Sequence, residues 1–141
     1  MLSIQRLSHQ DALILIQGAE AKAQEIGVPM CIAIVDESGY LIAFKRMDGG
    51  KPLSTTLAQD KAHTAAISRK STQDYNECCV PGNLTFGIHT SAGGRFSTVG
   101  GGVPVVVEGA PVGAIGLSGG APEQDIACAT AGLNRFLSSR A

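Results

Sequence analysis

The chain is predicted to be an α+β domain in which an antiparallel sheet of two hairpins is flanked by helices. Three observations support this. Two pairs of short apolar runs are each joined by a turn containing glycine. Stretches of helical composition alternate with those pairs in the order helix, hairpin, helix, loop, hairpin, helix. At 141 residues, 44% hydrophobic and 16% charged, the chain is long enough for one buried core. No internal repeat, linker or low-complexity tail divides it, so residues 1–141 read as a single domain.

Ser8 is a suitable N-cap for a helix running to about Ile26, with Asp11 placed for a capping box and Gly27 as the stop. Leu13, Ile16, Ala19 and Ala23 recur along it at helical spacing. Met30 to Val35 is a continuous apolar run and reads as a buried strand. Asp36-Glu37-Ser38-Gly39 turns it into a partner strand, Tyr40 to Arg46. Met47 to Pro52 is a loop, and Ser54 to about Ser68 is alanine-rich and helical in composition. From Ser71 to Gly94 the pattern is weakest, with a helical turn over Tyr75–Val80 and punctuation at Pro81-Gly82-Asn83. Arg95 to Val99 reads as a short fifth strand. Val103 to Val107, a turn at Glu108-Gly109 and Ala110 to Leu117 make the second hairpin, with Pro104 suited to an edge. Pro122 opens a closing helix to about Leu137, and Glu123 and Asp125 favour its positive end.

Composition excludes several classes of function. Eleven basic residues against 12 acidic ones leave no basic patch for nucleic acid or an anionic membrane surface. No window approaches the roughly 20 apolar residues that span a bilayer. The first residues lack the apolar core of a secretory signal, so a cytoplasmic location is expected. Aromatics are only 4% and glycines number 18, a composition that packs thinly and favours burial of further surface between copies. Four cysteines without a C-x-x-C, two of them adjacent at Cys78 and Cys79, read as reduced structural thiols, with a redox or thiolate-ligand role for Cys78 or Cys79 as the alternative.

Several segments resemble the GlcG/HbpS-like haem-binding family, which includes the C-terminal domain of PduO-type proteins. They are Val35-Asp36-Glu37-Ser38-Gly39, Arg46-Met47-Asp48-Gly49, Ala58-Gln59-Asp60-Lys61-Ala62-His63-Thr64-Ala65, and the run from Gly100-Gly101-Gly102-Val103-Pro104 through Gly113 to Gly120 and on to Glu123-Gln124-Asp125. Their ordered set, rather than any one motif, carries the resemblance, and it covers nearly the whole chain. It implies a profilin-like fold, a homo-oligomer (a tetramer or larger), and noncovalent haem binding with sensing, storage or slow degradation in some members.

Candidate site residues concentrate on the second helix. Asp60 and His63 are three apart, so Asp60 could orient the imidazole. Lys61 and Thr64 match the family's Lys-Ala-x-Thr-Ala pattern. Lys61 could pair a carboxylate or haem propionate, and His63 or Thr64 could approach an iron. His89 sits in a Gly/Ser/Thr-rich loop and is a third iron candidate, whereas His9 reads as a surface residue. Arg95, between two glycine clusters, is the first carboxylate-binding candidate and Arg46 the second. A catabolic enzyme of isomerase or lyase type acting on a carboxylate-bearing small molecule would draw its acid–base and carboxylate-binding groups from Asp60, Lys61, His63 and Arg95. A non-catalytic accessory oligomer is the third reading. No Cys-x-x-Cys-His, P-loop, dinucleotide fingerprint or G-x-S-x-G elbow is present. The three histidines lack the spacing of a structural zinc site.

Overall fold

In the computed structural model, which describes residues 1–141, the elements are α1 (His9–Ile26), β1 (Cys31–Asp36), β2 (Leu41–Arg46), α2 (Pro52–Ser68), α3 (Gln73–Asn76), β3 (Gly102–Val107), β4 (Ala110–Ser118) and α4 (Pro122–Ser139). Short 3₁₀ turns at Ile88–Thr90 and Ala92–Gly94 lie between α3 and β3. At the start of α1 the Ser8 hydroxyl accepts from the Asp11 N–H at 3.0 Å, and the Asp11 carboxylate accepts from the Ser8 N–H at 2.8 Å. Gly27 closes the helix at φ 70°, a conformation that costs glycine little. No helix is long and apolar enough to cross a membrane.

The four strands form one antiparallel sheet in the order β2-β1-β4-β3. Pro104 lies on the edge strand, where a missing N–H breaks no ladder. The central strands carry side chains of two sizes on their two faces. Ile32, Ile34, Ile115 and Leu117 point toward α1 and α4, where they join Leu15, Met30 and Phe136 in the larger core. Cys31, Ala33, Val35 and Ala114 point the other way, against Ala58, Ala62, Ala65 and Ala66 of α2. This explains why β1 reads as a continuous apolar run: both of its faces are covered.

The small-residue face lets α2 lie unusually close to the sheet. A Cβ at Gly116 would land on the Ala58 carbonyl and the Ala62 backbone nitrogen, and one at Gly102 would land on the Lys61 carbonyl. Chain entry is fixed separately. The Leu7 N–H bonds the Val112 carbonyl at 3.0 Å, while Arg6 pairs with Glu37 at 2.6 Å. That guanidinium holds the Glu37 carboxyl down at about 2.

Two readings from sequence differ from the structure. The fifth strand over Arg95–Val99 does not form. Its backbone is taken up by side chains instead: Thr64 Oγ1 donates to the Arg95 carbonyl at 3.3 Å and accepts from the Ser97 N–H at 2.8 Å, and Asn76 donates to the Thr98 carbonyl at 3.1 Å. The helical turn expected over Tyr75–Val80 is displaced toward the N-terminus, to Gln73–Asn76.

Gly116→Ala tests the close approach of α2. Overpacking of this kind is expected to cost about 3 kcal/mol, read as a lower denaturation midpoint with an unchanged slope. An unaltered midpoint would show that α2 is free to move away from the sheet.

Candidate functional site

α2 sorts the candidate residues by the direction each faces. Lys61 lies on the alanine stripe and is only 1% exposed. Its Nζ donates to the Leu117 carbonyl and to Asp125 Oδ2, both at 2.9 Å, and Asp125 Oδ1 accepts from the Gly120 N–H at 2.9 Å. Gly101 leaves room for that ammonium; its Cβ would stand 3.0 Å from Nζ. Burial pushes the Asp125 carboxyl up from its ordinary value, outweighing the downward pull of Lys61. Lys61 therefore sits inside the fold and joins α2, β4 and α4.

Asp60 faces outward and accepts from Arg95 Nε at 3.1 Å. It does not orient His63, as the spacing had suggested. The His63 Nδ1–H donates instead to the Gly39 carbonyl at 3.0 Å, against the β1–β2 turn. Spacing of three residues puts two side chains on neighbouring ground, but each found a nearer partner elsewhere. Thr64 is fully buried, and its hydroxyl is engaged by the Arg95–Ser97 backbone. Arg46 is exposed, and its Nε donates to the Gly50 carbonyl at 3.1 Å. The structure thus brings Asp60, Thr64 and Arg95 together, while Lys61, His63, His89 and Arg46 make their contacts with other partners.

His89 is exposed, with its Nδ1 3.1 Å from Cys79 Sγ and its ring beside that of Phe86, centroids 5.9 Å apart. Val80, Leu84 and Phe86 of the same segment are exposed as well. Haem requires an iron ligand such as imidazole or thiolate, an apolar wall for the macrocycle and cations for its propionates. The segment 77–95 holds the first two and ends in Arg95, whose guanidinium is bonded to Asp60 and still half-exposed, so the donor types fit the group. A second imidazole borders apolar ground. His9 lies at the rim of a groove of about 340 Å³ between α1 and β2, lined also by Leu13, Ile16, Ala43, Phe44 and Lys45.

Sequence reasoning misses two of these features. Asp125 reads only as a helix-end charge, whereas His9 is exposed, as expected of a surface residue. The Cys79–His89 contact spans ten residues of irregular chain, which no periodicity reveals. The partner of Lys61 did leave a trace. A lysine that recurs with Ala58, Ala62 and Ala65 on one helical face must find a counter-charge in the interior.

The HbpS-like family model, described as haem degrading protein HbpS-like, matches residues 7–134. Protein GlcG of Escherichia coli is 37% identical over 112 residues, which is 79% of this chain and 81% of GlcG. The crystal structure of Klebsiella pneumoniae protein ORFY superposes with a TM-score of 0.96 at 29% identity, covering 98% of this chain and 95% of that one. The crystal structure of a PduOC–haem complex superposes with a TM-score of 0.89 at 32% identity, covering 92% and 94%.

Removing one charge of the buried pair should be more damaging than removing both. Lys61→Met is expected to cost about 3–5 kcal/mol, and the double change Lys61→Met with Asp125→Leu less than that. Chemical denaturation of the two single variants and the double variant measures the coupling. Additive losses would show that the pair does not act as a unit.

Proposed function

The chain belongs to the HbpS-like family, and on that basis we propose that it binds haem noncovalently, with His89 supplying the imidazole. The observation that carries the reading is the exposed imidazole of His89 beside exposed Phe86 and Leu84, in a segment that ends in Arg95. The haem-bound PduOC relative supports it from outside the chain. Bound haem supplies an iron centre able to take a further ligand or an electron. The chain's own part is to offer a nitrogen ligand, an apolar surface and a guanidinium. A homo-oligomer, tetramer or larger, would cover the exposed Leu53, Ile67 and Leu84 and give such a surface its second wall. The carboxylate-directed enzyme reading has less support, because Lys61 faces Asp125 and His63 faces Gly39 instead of converging with Asp60 and Arg95.

A haem titration followed at the Soret band, with light scattering for the oligomer, tests the proposal. Saturation at a fixed stoichiometry is expected, with His89→Ala weakening affinity about tenfold, equivalent to about 1.4 kcal/mol. Loss on His9→Ala with no effect of His89→Ala would move the site to the groove between α1 and β2. Non-saturating binding that neither change affects would overturn haem binding. Bound haem that persists unchanged with reductant and oxygen would favour storage or sensing over degradation.

A further inference from the structure

We infer that the outer edge of β2 pairs with β2 of a second copy about a two-fold axis, so that two four-stranded sheets join into one. Assembly as such belongs to the function proposed above; what is added here is the surface that makes it, and that surface needs no haem. The two edges of the sheet differ. In an antiparallel ladder alternate residues turn their backbone groups toward one neighbour, and the residues between them turn away from it. The Leu117 N–H bonds the Gly101 carbonyl at 3.0 Å, which leaves Gly102 and Pro104 facing outward from β3. Thr72 takes both outward groups of Gly102, each at 3.0 Å, and Pro104 has no N–H to offer. That edge is closed.

β2 is the opposite case. The Met47 N–H bonds the Met30 carbonyl at 3.0 Å, so Lys45 and Ala43, opposite Ile32 and Ile34, are the residues that bond β1. Phe44 and Arg46 face outward, and no group of the chain bonds their backbone N–H or carbonyl. A lysine commonly guards such an edge, but Glu20 draws the Lys45 ammonium onto α1. The ground beyond the edge suits an added strand on both faces. On one side lies the groove of about 340 Å³ between α1 and β2, floored by Leu13 and Ile16. On the other, α2 packs chiefly over β1, β4 and β3, and the Phe44 side chain is left half-exposed.

The side chains of β2 select a second copy as the occupant. With the axis at Phe44, outward residues meet outward residues, Phe44 faces Phe44 and Arg46 faces Ile42. Lys45 of one copy stands opposite Ala43 of the other, so no like charges oppose each other along the junction. Its ammonium enters a groove whose one carboxylate is Glu20, and two lysines and two glutamates then share the ground around the axis.

Light scattering and amide exchange on haem-free protein test the pairing. The wild-type mass is expected at an even multiple of the chain mass. Phe44→Glu sets two carboxylates face to face on the axis and should halve it. Phe44→Lys should halve it likewise, and mixing the two variants should restore the wild-type mass, because each glutamate then meets a lysine. Restoration also shows that both variants are folded. In the wild type the Phe44 and Arg46 amides should exchange about tenfold more slowly than residues 44 and 46 of Phe44→Glu, while the Ala43 and Lys45 amides keep their protection in both. A monomeric wild type, a mass that Phe44→Glu leaves unchanged, or variants that stay dissociated on mixing would overturn the pairing. A mass halved by Leu53→Asp and indifferent to Phe44→Glu would put the junction on α2 and overturn it too. His89→Ala should leave the mass unaltered, so failure of the haem proposal and failure of this one are read separately.

Discussion

The ammonium of Lys61, held inside the protein between the Leu117 carbonyl and the Asp125 carboxylate, sets the terms for much of the surrounding structure. A charge that deep is tolerable only if its counter-charge and remaining hydrogen bonds arrive together. The end of β4 and the start of α4 must therefore meet at one point on α2. Gly101 is needed beside them because a side chain there would crowd both the Leu117 carbonyl and the ammonium. Gly120 donates its N–H to the other oxygen of Asp125, which completes the carboxylate's surroundings and positions the first turn of α4. Gross stabilisation is not the obvious benefit, since burial works against the charged form of Asp125. What the pair does specify is which residues of three elements must meet.

With α2 pinned in this way, its other side chains have fixed destinations. The alanines lie flat on the small-residue face of the sheet, and Thr64 holds the Arg95–Ser97 backbone. Thr72 ties the chain beyond α2 to Gly102 at 3.0 Å. Between these two anchor points the segment 77–95 contributes almost nothing to either core, and most of its side chains are exposed. A stretch with so little buried apolar contact is at the low-stability end of the molecule. It also holds the Cys79–His89 pair and the exposed Leu84 and Phe86. The packed remainder of the protein thus presents an exposed segment that carries an imidazole and a thiol in contact.

The order of elements was legible from local chemistry. The Ser8–Asp11 capping box, Gly27, the left-handed Gly39 and the proline opening of α4 each act within a few residues, so the chain states them directly, whereas Pro52, which reads as loop, opens α2. Interaction partners were less legible. Asp60 and His63 share a helix face, yet one met Arg95 and the other Gly39, because the strongest available partner lay in a distant part of the chain. The run Arg95–Val99 has strand composition, but its backbone bonded to the side chains of Thr64 and Asn76 instead of to a strand. Segment 77–95 lacks any repeating pattern, and nothing local could show that Cys79 and His89 would touch.

Sequence by itself determined the α+β class, both hairpins, the three long helices and the family, because hydrophobic period, caps and turns depend on near neighbours. Only the tertiary structure decided that Lys61 is an interior residue, that the sheet stops at four strands and that Cys79 lies against His89 while Cys78 turns to a backbone carbonyl. Those outcomes depend on groups ten to more than sixty residues apart along the chain. Which of them meet is settled by the packing of α2 on a glycine- and alanine-lined face, and a one-dimensional pattern carries no term for that.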